Sequence, residues 1–204
     1  MQRKGYLQVG PSGLLLRGDA LDLVQQLHEP PDLIATDPPY TFGGSGDEHA
    51  TSATVAVVLR EVAVRLRKGR WMLVMCAASW RSTAYMVEAV RGVVDPVRIA
   101  TWCKPSAKTK VTTSGWLWAS VNVVAFRKGR SEDSSPSGVL DHITAAAVTN
   151  GRRAELPTAV AHWMVSPYAV RGGLFLDPFA GSGALVKAAA DCGMRTIGYE
   201  RQPK

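Results

Sequence analysis

The chain has 204 residues, 24 of them Lys or Arg and 17 Asp or Glu, for a net charge of +7. Hydrophobic residues make up 46 % and charged residues 20 %, which excludes disorder, collagen and coiled coil and suits one large domain that buries its own core. The positive balance fits a nucleic-acid partner but is too common among soluble proteins to establish one. Cys76, Cys103 and Cys192 are widely spaced and never CxxC. That argues against a disulfide framework and a cysteine zinc site, and makes a reducing, cytoplasmic setting the default. The four His share no ligand spacing, so no metal is assigned. The apolar runs at 71–78 and 93–103 are too short or too interrupted to cross a bilayer.

Leu14, Leu15 and Leu16 predict a buried strand that ends in a turn at Gly18-Asp19. Leu23, Val24 and Leu27 have helical spacing over 20–28, and Pro30-Pro31 stops that helix. Residues 32–36 read as a second strand, which runs into Asp37-Pro38-Pro39-Tyr40. Two prolines cannot continue a central ladder, so these four residues form a loop at the strand's carboxyl end. A Gly-rich loop covers 41–49, and Val55, Val58, Leu59, Val62 and Leu66 mark one face of a helix. A strand at 71–76, a helix at 79–91 and a strand at 96–102 follow. Residues 103–120 read as a basic, Trp-bearing loop, 121–126 as a strand, and 131–138 as a Ser-rich low-complexity segment. A helix at 157–165, a strand at 173–176, a helix at 184–192 and a strand at 194–199 complete the chain. The alternation predicts an α/β domain, doubly wound around a seven-stranded, mostly parallel sheet. Ligands in such sheets sit outside the carboxyl ends of the strands.

Two loops carry chemistry. Asp177-Pro178-Phe179-Ala180-Gly181-Ser182-Gly183 follows a short apolar strand and opens a helix of small residues. Gly181 and Gly183 permit positive φ and close approach of the backbone to a ligand, and the helix start adds N–H donors. No Lys-Ser/Thr pair follows, so this is not a P-loop. About seventeen residues beyond Gly183 the next strand ends at Glu200, where an α/β nucleotide site grips ribose hydroxyls; a solvated Glu is the alternative. In the other loop, Asp37 is an acceptor-only carboxylate, Pro38 aims a carbonyl and Tyr40 offers a flat face. Two acceptors above an aromatic plate suit a planar ligand bearing an NH₂ group; the alternative is a Pro-rich turn with a capping Asp.

With the DPPY string ahead of the FxGxG string, the chain resembles S-adenosylmethionine-dependent DNA amino-methyltransferases of the permuted beta group. The likeness runs from about Leu14 to Arg201. It implies a Rossmann-like class I methyltransferase fold, circularly permuted, with 1–204 as one catalytic domain and 128–154 as a reduced target-recognition or linker region. It implies S-adenosylmethionine as cofactor, held by Asp19, by Asp177 to Gly183 (including Pro178, Phe179, Ala180, Gly181 and Ser182), by Glu200 and Arg201, and by Pro157. Asp37, Pro38, Pro39 and Tyr40 would serve the target amine. Leu156 stands where the family often has Lys, Ala184 where Thr is frequent, and Asn122 where Glu is common. Adenine N6 is the leading target. Cytosine N4, or a non-catalytic subunit that binds cofactor or DNA, is the alternative.

The expected partner is DNA, double- or single-stranded, and no membrane. Lys104, Lys108, Lys110, Arg127, Lys128 and Arg130 lie in a stretch without Asp or Glu that also holds Trp116 and Trp118. Basic residues among aromatics suit phosphate contact and stacking; a solvated loop and core-packed Trp are the alternatives. Phe42, in the Gly-rich loop, is expected to close over the base. So short a recognition region implies a short or relaxed target, or a site completed by a second copy or a recognition subunit.

Overall fold

The computed structural model describes residues 13–39, 53–105, 119–130, 136–148 and 155–200, and the backbone alone of 6–8 and 48–52. In chain order the elements are β1 (Tyr6–Gln8), β2 (Gly13–Arg17), α1 (Ala20–Val24), β3 (Leu33–Thr36), α2 (Glu48–Arg65), β4 (Trp71–Ala77) and α3 (Trp80–Ala89). Then come β5 (Asp95–Cys103), β6 (Ser120–Arg127), β7 (His142–Thr144), α4 (Thr158–Val165), β8 (Leu174–Asp177), α5 (Ala184–Asp191) and β9 (Arg195–Glu200).

Among the described residues the strands form one nine-stranded sheet, in the order β1-β2-β9-β8-β3-β4-β6-β5-β7. The seven expected strands are present. The count is corrected to nine by β1 and β7, edge strands of three residues each, too short to leave a periodic signal. Five pairings are parallel; β1 with β2, and β6 with both its neighbours, are antiparallel. The carboxyl ends of β2, β9, β8, β3, β4 and β5 therefore share one edge of the sheet. The start of β6 lies at that edge and its end at the other.

Helices cover both faces. Ile34, Met72, Val74 and Leu176 pack with α1, α2 and α3, while Leu33, Leu73, Met75 and Phe175 pack with α4 and α5. Alternate residues of each strand serve opposite cores, so a central strand is apolar throughout. All seven residues of β4 are buried. Val55, Val58, Leu59 and Val62 of α2, and Leu66 just past its end, are at most 2 % exposed, as their spacing requires. Two boundaries differ from expectation by more than two residues. Helix α1 ends at Val24, ahead of the expected 28. Helix α2 starts at Glu48 and takes in His49, expected in a loop. Among the described residues no helix is long and apolar enough to cross a membrane.

Candidate active site at the carboxyl edge of the sheet

Strands β3 and β8 are neighbours, with Ile34 opposite Leu176, so the two chemistry-bearing loops leave the sheet side by side. A hydrogen bond joins them at the root: Thr36 Oγ1 donates to Asp177 Oδ1 at 2.7 Å. The same oxygen accepts the Phe179 N–H at 3.0 Å. Asp177 is only 1 % exposed. Burial pushes its pKa up to about 7; the two hydrogen bonds pull it down, and the charges of Asp37 and Glu200 push it further up. Asp37 and Glu200 thus both sit within electrostatic reach of Asp177.

Gly181 and Gly183 adopt φ of 52° and 83°, the left-handed region their positions were expected to need. The Gly181 N–H donates to Glu200 Oε2 at 3.0 Å. One of the donors expected to face a ligand therefore ties Glu200 to the loop instead. Beneath the loop, a Cβ at Gly198 would lie 2.7 Å from Val186 Cγ2, 2.8 Å from Ala180 Cβ and 2.9 Å from Leu15 Cδ1. Only glycine lets β9 pass so close. Neither Thr36 nor Gly198 stands out in the sequence, because each matters through residues distant along the chain. Asp19 accepts the Leu21 N–H at 3.0 Å as N-cap of α1.

A cleft of about 550 Å³ opens along these strand ends. Asp19, Asp37, Pro39, Phe179, Gly181 and Glu200 contribute to its lining, and Val55 and Val58 of α2 form an apolar wall. Pro178 also lines it, while Pro38, Asp177, Ala180, Ser182 and Gly183 are not part of the lining. Pro157 is not either: it is the N-cap of α4, where its carbonyl accepts the N–H groups of Val160 and Ala161. Tyr40, Phe42, Lys108, Lys110, Trp116, Trp118 and Arg201 lie outside the described residues.

The basic stretch is divided. Lys104 directly follows β5 and lies at the same edge as Asp37. Its Nζ is 4.6 Å from the centre of the Trp102 ring. Burial lowers its pKa, and the negative charge of Asp37 partly restores it. Strand β6 then runs the opposite way, setting Arg127 against Trp71, the first residue of β4. Arg127 lies over the Trp71 ring, 5.2 Å from its centre, and Lys128 donates to the Val64 carbonyl. At about 3.4 Å per residue, the eight residues of β6 span roughly 25 Å. Of the basic residues expected to contact DNA, Lys104 lies at the Asp37 edge, whereas Arg127, Lys128 and Arg130 lie at the opposite one, which corrects the expectation for these three.

The family model described as DNA methylase matches residues 80–204. The chain belongs to the DNA methylase family. The matched part holds Lys104, the glycine loop and Glu200, whereas Asp37 lies ahead of it. No curated protein matches the chain. Among solved structures, the M1.HpyAVI complex with SAM has a TM-score of 0.73 at 19 % identity, covering 92 % of both chains. The PvuII DNA methyltransferase, described as cytosine-N4-specific, has a TM-score of 0.72 at 17 % identity over 94 % of this chain and 83 % of that one. TTHA0409 from Thermus thermophilus, complexed with S-adenosyl-L-methionine, has a TM-score of 0.67 at 21 % identity over 92 % of this chain and 87 % of that one. At these identities the likeness establishes the shared class I methyltransferase fold.

Proposed function

We propose that the chain transfers a methyl group from S-adenosylmethionine to the N6 amine of an adenine in DNA. The observation that carries this reading is the shared root of the Asp37 loop and the glycine loop, joined through Thr36 and Asp177 above one cleft. The residues present fit the cofactor. Asp37 and Glu200 both raise the pKa of Asp177, so a ligand bearing positive charge relieves their repulsion and a phosphate would worsen it. The cleft volume of about 550 Å³ falls within the roughly 300–1,000 Å³ of small-molecule sites. Glu200 and Asp19 supply acceptors for hydroxyl or amino groups, and Val55 and Val58 an apolar wall for a flat ring. Bound there, S-adenosylmethionine supplies an electrophilic methyl group.

The chain's own part is positioning. The Asp37 carboxylate and the Pro38 carbonyl accept hydrogen bonds from the target NH₂. This favours a pyramidal nitrogen whose lone pair is localised rather than shared with the ring. Fixed acceptors at the reacting atom are the main source of rate, and the Asp37 carboxylate takes up the proton that the methylated amine gives off. The sequence adds Tyr40 as a stacking face for a base that has left the duplex. The cofactor-binding roles of Asp19, Glu200 and the glycine loop belong to the same proposal, as does 1–204 as one domain with 128–154 as its reduced recognition region. The strand bearing the Asp37 loop precedes the glycine-loop strand in the chain yet sits beside it in the sheet, which supports the circular permutation.

Cytosine N4 is the second reading, favoured by the nearly equal likeness to the cytosine-N4-specific PvuII enzyme. Incubation of the chain with labelled S-adenosylmethionine and mixed-sequence DNA, then nucleoside digestion and mass analysis, separates them. N6-methyladenine is expected; N4-methylcytosine selects the second reading. Binding of cofactor and DNA without transfer would identify a non-catalytic subunit and overturn both. Replacing Asp37 by Ala should cut transfer at least ~100-fold while the cofactor still binds; full activity would sink the mechanism.

A further inference from the structure

We infer that Trp80 and Arg81, in the first turn of α3, form a DNA-contact element in which the indole stacks on an unpaired base beside the target and the guanidinium holds a phosphate. The inference rests on the DNA-methylating reading above. Trp80 is 91 % exposed, the most exposed large hydrophobic side chain among the described residues; Leu140 follows at 68 %. Folding alone gives no reason to hold an indole in water.

Its place in the fold supplies one. Strand β4 pairs in parallel with β3 from Leu33 opposite Trp71 to Thr36 opposite Val74. Extended past Thr36, that register sets Ala77 level with Pro39, and Trp80 follows three residues later. It therefore follows the strand next to the one that bears the Asp37 loop, at the same edge of the sheet. The acidic residues that line the cleft leave β2, β9 and β3, on one side of this point. On the other side the edge carries Lys104. The edge is thus divided: an acidic half suited to a cationic cofactor, and an aromatic and basic half suited to a nucleic-acid strand.

The local sequence goes against what the helix itself prefers. The first turn of α3 has no acidic residue and carries Arg81, although the helix dipole disfavours a cation there. Arg81 is exposed and has no ion-pair partner among the described residues. Ser79 caps the helix by accepting the Ser82 N–H at 3.2 Å, so this turn is a fixed platform. A flat apolar face and an unneutralised guanidinium at consecutive positions of one turn match a base and a neighbouring phosphate.

The test is the affinity of the full chain for a fluorescein-labelled, mixed-sequence single-stranded oligonucleotide, read by anisotropy across a salt series. S-adenosylmethionine affinity is measured alongside. Trp80→Ala should weaken oligonucleotide binding at least about fivefold, and Trp80→Phe, which keeps a ring, less than about threefold. Arg81→Ala should lower the salt slope by about 0.7, and cofactor affinity should be unchanged in all three. Oligonucleotide binding by Trp80→Ala at the wild-type level overturns the inference. So does a switch from dimer to monomer in that variant by sedimentation, which would place the indole in a contact between copies. Methyl transfer by the wild-type chain tests the underlying reading separately and does not depend on Trp80.

Discussion

Asp177 is where burial and charge are most closely balanced. Its carboxyl is pushed up to about 7 by burial, against the Thr36 and Phe179 hydrogen bonds; in the unfolded chain an Asp titrates near ~3.9. Between about pH 4 and pH 7 the folded chain keeps a proton that the unfolded chain has lost. The contribution of this group to stability is therefore complete below about pH 4 and falls away as pH rises to about 7, on the order of 4 kcal/mol over the whole span. Asp177→Asn cannot ionise. Its urea midpoint should exceed that of the parent at pH 8 and match it more closely at pH 4; an equal difference at both values would contradict the assignment. Breaking the loop-joining bond with Thr36→Val should cost about 1–3 kcal/mol, since it leaves the buried carboxyl short of a donor.

At the scale of elements, the edge works because β9 lies tight beneath the glycine loop. Gly198→Ala puts a methyl group within 2.9 Å of three neighbours. Overpacking of this kind costs about 1–3 kcal/mol, and because Ala180 belongs to the loop, cofactor affinity should fall with stability. Leu59→Ala is the control from another element. Leu59 is 0 % exposed on α2, so the loss should be about 2–5 kcal/mol, with cofactor affinity unchanged once the chain is folded. Urea denaturation and calorimetric titration of both variants check the contrast. The main elements were legible because each carries its own signal: the α2 stripe in its spacing, β4 in its unbroken apolar run. β1 and β7 have three residues each and exist only by pairing with a longer strand.

For the whole molecule, the net charge of +7 is not one surface. The reversal of β6 sends Arg127, Lys128 and Arg130 to the edge away from the cleft, where Arg127 lies over Trp71 and Lys128 meets the end of α2. Lys104 stays on the cleft side. Joint replacement of Lys128 and Arg130 by Gln should leave oligonucleotide affinity within about twofold, whereas Lys104→Gln should weaken it and lower the salt slope by about 0.7. Filter binding at several salt concentrations decides; the reverse pattern would move the DNA to the other edge.

The residues alone determine the strings Asp37-Pro38-Pro39-Tyr40 and Asp177 to Gly183, their places after apolar strands, and the kind of ligand chemistry they suit. Prolines that stop a ladder and glycines that permit positive φ act locally, so they can be read locally. Tertiary structure alone decides which charges meet. A strand's direction is not written in its composition, so the division of the basic stretch by β6 appears only once β4 and β5 are in place. The state of Asp177 depends on Thr36, 141 positions away, and on Asp37 and Glu200; electrostatics follows distance in space, which the chain sets only when it folds.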